Sequence, residues 1–392
     1  MKAKKHFLAH RLQGKAGPLW VSLLAILMTI VTASVLLLLM GKNPITGFAG
    51  FLQGCGFLPK ASYGGGSGML SDLSDYLNFL APLLLASLAF IFAFKCGLFN
   101  IGISGQMLLS GFTAMVLVGY NKDLSAWAAR PLVILIGIAV GGLVGALVGF
   151  LKYRFNIHEV VSTIMINYII SYITGFFINN NYLDMLTRTS RVCTPQSRLT
   201  LVNVPVNGVN CRIPLGLILA LLMAVVIHII LSRTTFGFEL KAVGLNKTCA
   251  RYFGVRVSRS IVLAMTVSGA LAGMAGVTYY LGFSNMIIPK SLPGMGYDAI
   301  TVGLLGNGSP LGAILASAVI ALFQQGANYM SSMTGVAKEI ASLITGIMLV
   351  YASCGNYMRW IAGKVVQRDV DRLREKMPDP DGGLLSAKED GR

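Results

Sequence analysis

Six uncharged apolar runs, at positions 19–40, 101–120, 131–151, 160–178, 260–281 and 310–330, each reach the roughly 20 residues that an α-helix needs to cross a bilayer. A chain that repeats such runs has no soluble way to bury them. Three further runs, 76–94, 213–231 and 340–358, carry Pro82, His228 and Asn356 but otherwise fit, and 299–308 is a short, glycine-punctuated segment. Composition agrees: with 55% hydrophobic and 12% charged residues, a globule of 392 residues lacks the polar groups to cover itself. The first run is too long for a signal-peptide core and has no small-residue cleavage motif, so it reads as a retained helix.

The net charge of +17 belongs to topology rather than to nucleic-acid binding, because the basic residues sit between apolar runs. Lys2, Lys4, Lys5, Arg11 and Lys15 precede the first run, six Lys/Arg lie in 233–259, and eight lie in 359–392. The positive-inside rule makes all three segments cytoplasmic. Both ends inside require an even number of crossings, which favours about ten helices with 299–308 as a short or broken span. On that count 22 Lys/Arg lie inside and 10 outside, the exception being 179–212, which is external yet holds Arg188, Arg191, Arg198 and Arg212. The expected fold is an all-α integral membrane protein of about ten transmembrane helices, some broken, with both termini cytoplasmic. It divides into a basic tail at 1–18, a membrane domain at 19–358 containing the basic loop 233–259, and a polar tail at 359–392 that lacks a packing pattern. The loop 41–75, with Gly64, Gly65 and Gly66, reads as flexible.

Gly137, Gly141, Gly145 and Gly149 recur every fourth residue, and Gly269 and Gly273, followed by Gly276, repeat the pattern. Such faces let another helix approach closely. Thr163, Asn167, Ser171 and Thr174 share one face of the 160–178 helix, a face that should avoid lipid. The segment 95–106 sets Asn100, Ser104 and three glycines between apolar runs, which predicts a helix break of the kind that lines a cavity or is buried in protein. The segment 303–312, with Asn307, repeats the theme. No carboxylate lies well inside a span, where one would cost about 2.5–3.5 kcal/mol, so a charged ion relay is not expected. The cysteines and histidines show no metal-ligand spacing, and Cys193 and Cys211 share the outer loop as either a pair or free thiols. No Gly-Lys pair precedes Ser or Thr, so a phosphate-binding loop is absent; ATP, if used, is bound by another polypeptide.

Four ordered segments, FKCGLFNIGISGQ (94–106), HEVVSTIMINYI (158–169), LKAVGLNKTCARYFGV (240–255) and GYDAITVGLLGNGSPLG (296–312), resemble the permease subunits of bacterial ABC importers for simple sugars and nucleosides, within the ribose and branched-chain amino-acid permease group. The resemblance implies a non-enzymatic, multi-pass permease of the cytoplasmic membrane, without a cofactor of its own. Its implied partners are an ABC ATPase subunit, a second permease subunit in a homo- or heterodimer, and an extracytoplasmic substrate-binding protein. It also implies that a loop containing Gly244, Asn246, Ala250, Tyr252 and Gly254 docks the ATPase, although the family's Glu-Ala start is replaced by Thr248-Cys249. Ser104 and His158 stand where relatives commonly carry Glu and Asn. Asn100, Gln106 and Asn167 are expected to line the substrate pathway with Thr163 and Ser171, while Phe99, Tyr168 and Tyr172 offer stacking surfaces for a neutral nucleoside or sugar. The competing expectation is a stand-alone secondary transporter or channel for small polar solutes.

Overall fold

The computed structural model describes residues 17–63, 68–206, 209–337 and 339–355, with 357, 360, 364 and 367. The expected basic tail lies outside them up to residue 16, the tail at 359–392 lies outside them except for 360, 364 and 367, and so do Gly64, Gly65, Gly66 and Asn356.

Among the described residues the regular elements are helices apart from one β-hairpin. Helices α1 (Gly17–Leu39), α2 (Pro44–Gly54), α3 (Met69–Lys95) and α4 (Ile103–Ala114) lead to α5 (Ala126–Phe155) and α6 (Glu159–Phe177). Strands β1 (Thr200–Val206) and β2 (Val209–Pro214) pair antiparallel before α7 (Leu215–Arg233), α8 (Thr235–Leu245) and the short α9 (Lys247–Tyr252). Then follow α10 (Val257–Thr278), α11 (Met295–Leu305), α12 (Pro310–Thr334) and α13 (Ile340–Ser353). Single π-turns extend α4, α6 and α10. Seven of the described helices are long and apolar enough to span a membrane, and shorter apolar helices at Ile103–Gly119, Met295–Leu305 and Ser342–Ser353 fill the other expected positions.

Helix α3 is the axis of the bundle: from Leu80 to Ala93 every residue is buried, which an apolar helix achieves only when others surround it. The two glycine faces close on each other. A β-carbon on Gly141 would collide with the Gly269 carbonyl, one on Gly145 with the Met265 carbonyl, and one on Gly273 with the Gly137 carbonyl, so α5 and α10 cross backbone to backbone.

Two parts of the outer surface differ from the sequence reading. Residues 41–75, expected to be a flexible loop, hold α2, which Asn43 caps and which lays Gly50 and Gly54 against Met330 and Gly326 of α12. Phe51 completes that contact, its ring edge-on to Phe323 at 5.3 Å. The second is the hairpin, whose Arg212 pairs with Asp75 at 3.3 Å while its Thr200 hydroxyl donates to Asn78 at 2.8 Å. These bonds give the outer arginines structural duties: Arg198 likewise donates to the Cys193 carbonyl at 3.3 Å. Cys193 and Cys211 are both free and buried.

Candidate translocation pathway and coupling loop

Helix α3 ends at Lys95, and the chain turns through Gly97 at φ +72°, a shape that favours glycine, before re-entering the bundle as α4. The freed polar groups are matched almost one to one. Asn100 Nδ2 donates to Gln106 Oε1 at 3.1 Å and to Ser268 Oγ at 2.9 Å, while Asn100 Oδ1 accepts the Gly102 amide at 2.9 Å. Ser268 passes its proton to the Ala89 carbonyl at 2.7 Å. Asn167 reaches across from α6, accepting the Gly105 amide at 3.0 Å and donating to the Ile101 carbonyl at 3.0 Å. Thr163 lies beside Gly102, and Ser104 donates to the Pro293 carbonyl at 2.9 Å. Of this cluster Gln106 Nε2 is buried without an acceptor.

The structure thus brings Asn100, Gln106, Thr163 and Asn167 together, all buried, at the start of α4. Ser171, also buried, continues their face of α6 toward Thr174. Tyr168 and Tyr172 lie on the other face, at 57% and 62% exposure, in a stripe with Val161, Met165 and Phe176. Phe99 is elsewhere again, edge-on to Phe90 at 5.1 Å. His158 supplies the cap for α6, its Nδ1 accepting the Val160 amide at 3.3 Å, and Lys152 pairs with Glu159 at 2.7 Å across the α5–α6 turn.

The second special segment is a turn rather than a break within a helix. Asn307 and Gly308 take consecutive left-handed conformations between α11 and α12, and a β-carbon on Gly308 would lie 3.3 Å from Lys95 Nζ. The break that the sequence reading missed comes earlier, at 284–294, where the chain runs without regular structure from the end of α10 to α11. Pro289 and Pro293 in that stretch were its signal. Asp298 stands in the first turn of α11 rather than well inside it, where it accepts from Gln324 Nε2 at 3.2 Å and is only partly exposed.

The basic loop forms two short helices. Asn246 caps α9, its Oδ1 accepting the Thr248 and Cys249 amides at 3.0 Å each, and Gly254 follows at φ +79°. Ala250 is buried, whereas Leu245, Tyr252 and Phe253 stand more than four-fifths exposed among Lys247, Arg251 and Arg256. An apolar, basic knob of this kind is suited to a partner's groove. Gly244 ties the loop to the first break: a β-carbon there would collide with the Lys95 carbonyl, and Gly97 faces it in turn.

Residues 73–353 match the family described as branched-chain amino acid transport system / permease component. The guanosine ABC transporter permease protein NupP of Bacillus subtilis is 33% identical over 351 residues, covering 89% of this chain and 97% of that protein. The nucleoside ABC transporter permease protein NupB of Lactococcus lactis is 31% identical over 348 residues, covering 87% and 92%. The glucose ABC transporter permease protein TsgB13 of Haloferax volcanii is 25% identical over 296 residues, covering 73% and 77%. No solved structure matches the chain. A match over most of the apolar bundle, together with near full-length likeness to two ABC transporter permeases, places the chain in this permease family, as a multi-pass membrane subunit of an ABC importer rather than an enzyme.

Proposed function

We propose that this permease imports a neutral nucleoside across the cytoplasmic membrane, with a simple sugar as the second choice. The observation that carries the reading is the near full-length likeness to proteins named for guanosine and nucleosides, which exceeds the likeness to one named for glucose. The chemistry of the bundle supports it. Asn100, Gln106, Thr163, Asn167 and Ser171 offer amides and hydroxyls, which can meet cargo hydroxyls that would each cost about 1–3 kcal/mol if buried unpaired. Since these groups are sealed between α4 and α6, cargo reaches them only when the two helices separate, and the acceptor-less Gln106 Nε2 is the donor left for it. Tyr168, Tyr172 and Phe99 add ring faces at the periphery of that path.

Family membership implies an ATPase and a substrate-binding protein. In the proposed assembly ATP is bound entirely by the ATPase subunit, a second permease subunit covers the exposed α6 stripe, and the binding protein delivers cargo from outside. The ATPase docks on the loop of Gly244, Asn246, Ala250, Tyr252 and Gly254. Both termini and this loop face the cytoplasm, with about ten crossings.

Uptake of labelled nucleosides and pentoses by cells carrying the whole importer tests the cargo, and import of charged amino acids alone would reject it. Orientation is tested at Cys249, exposed on α9, which should react with a membrane-impermeant thiol reagent only after permeabilisation. Cys193 is no reporter, because it is 2% exposed and burial raises its thiol pKa above the ordinary value.

A further inference from the structure

Between the outer end of α10 and the irregular stretch 284–294 lies a partly open cavity of about 240 Å³, lined by Tyr279, Tyr280, Ser284, Ser291, Pro293 and Gly294 among others. Its depth can be read from its neighbours. Lys290 sits against Gly175, where a β-carbon would lie 3.0 Å from the Lys290 amide nitrogen, and the Pro293 carbonyl accepts from Ser104 at the start of α4. The adjoining Gly105 meets Asn167, so the stretch runs beside α6 from the level of Gly175 to that of Asn167, about 12 Å of helix. Backbone without regular structure at that depth is tolerated only where protein buries it or water fills a cavity.

Here the backbone is left partly open. Among the described residues the amides of Leu292 and Gly294 meet no acceptor, and no partner takes the hydroxyls of Tyr279 or Ser291. The two tyrosine rings stand edge to face at 4.9 Å and 83°, presenting a ring face and an edge. No charged side chain lines the space. The volume is below the roughly 300–1,000 Å³ of common small-molecule pockets and suits one small ring compound.

We infer that this cavity is a cargo-contact site of the pathway, in which Tyr279 stacks on a flat ring while Ser291 and the free amides of Leu292 and Gly294 meet hydroxyls of a neutral polyhydroxylated molecule. The inference rests on the proposed import of a nucleoside and adds to it the place where ring and hydroxyls are read. It assigns contacts to a stretch that shares no residue with Asn100, Gln106 or Asn167.

Gly294 gives a clean test, because it lines the cavity and nothing lies within 4 Å of where its β-carbon would stand, so a side chain there starts in open space at the cavity's edge. Gly294→Phe in the complete importer should keep its membrane level and lose about tenfold or more of labelled purine-nucleoside uptake, the loss expected when one stacking contact is denied. In intact cells Ser291→Cys should be alkylated by a small maleimide added outside, and excess nucleoside should slow that reaction several-fold. Wild-type nucleoside uptake by Gly294→Phe, or alkylation of Ser291→Cys indifferent to nucleoside, would overturn the site while leaving the proposed cargo intact. If the wild-type importer carries a pentose and no nucleoside, and pentose protects Ser291→Cys, the cargo reading falls and the cavity stands.

Discussion

The chain leaves regular helix at 96–102 and again at 284–294, and the polar groups freed at the first are nearly all met by protein whereas at the second those of 291–294 are left partly open to a cavity. At the first break Asn100, Asn167 and Ser268 make side-chain bonds of 2.9–3.1 Å, and glycines let backbone touch backbone. At the second, a turn closed by the Ser291 amide on the Ile288 carbonyl, the Cys193 amide on the Asn285 carbonyl at 3.3 Å, Ser190 Oγ accepting the Ile287 amide at 2.9 Å and Ser104 on the Pro293 carbonyl hold the stretch, while the amides of Leu292 and Gly294 meet no acceptor among the described residues. A sealed break behaves as a rigid joint; an open one offers its polar groups to a solute. The basic loop 233–259 packs on the sealed one, through Gly244 and Gly97. With the ATPase docked on that loop as proposed, its push would arrive at the joint beneath α4 rather than at the cavity itself.

The strongest way to break this contrast is Gly244→Val. Its β-carbon meets the Lys95 carbonyl, neither backbone can yield without unpacking the joint, and a loss of about 3 kcal/mol is expected. Thermal unfolding of the purified importer in detergent reads the loss, and a variant as stable as wild type would show that the joint is not rigid. Next comes Asn100→Leu, which leaves the Gly102 amide and Gln106 Oε1 unmatched and should cost about 2–3 kcal/mol by the same assay.

Gly254→Val is expected to act less on stability and more on function. Nothing surrounds its β-carbon position, so only the strain of φ +79° opposes the change, about 1–2 kcal/mol. The strain falls on the end of α9, and ATP hydrolysis should continue with little transport. Normal transport with normal ATPase stimulation would remove the loop from coupling.

Much of this was legible. The glycine spacing of α5 and α10 marked each as a close-packing face, and the structure shows that the two faces meet. The lipid-avoiding face of Thr163, Asn167, Ser171 and Thr174 was legible for the same periodic reason. What faced it was not, since periodicity gives a direction and no partner. Helix α2 escaped because its 11 residues are too few for a span and its glycines, which serve contact with α12, resemble loop composition. The hairpin carried a readable signal, the alternating residues 200–206 followed by Asn207-Gly208, but lay in a segment treated as a loop. The cavity needed the fold, because Tyr279 and Ser291 are joined only by the path of the chain between them.

The smallest effect is the most informative about the open break. Ser291 is exposed and its hydroxyl meets no protein partner among the described residues, so Ser291→Ala removes nothing that the folded chain uses. Its stability should match wild type within about 0.5 kcal/mol. Had the second break been sealed like the first, deleting a hydroxyl there would strand a buried partner and cost about 1–3 kcal/mol. A loss of that size in Ser291→Ala, measured beside Asn100→Leu on the same importer, would mean that 284–294 is a second rigid joint. A silent Ser291→Ala next to a crippled Asn100→Leu would show that protein seals the first break and leaves the hydroxyl of the second free.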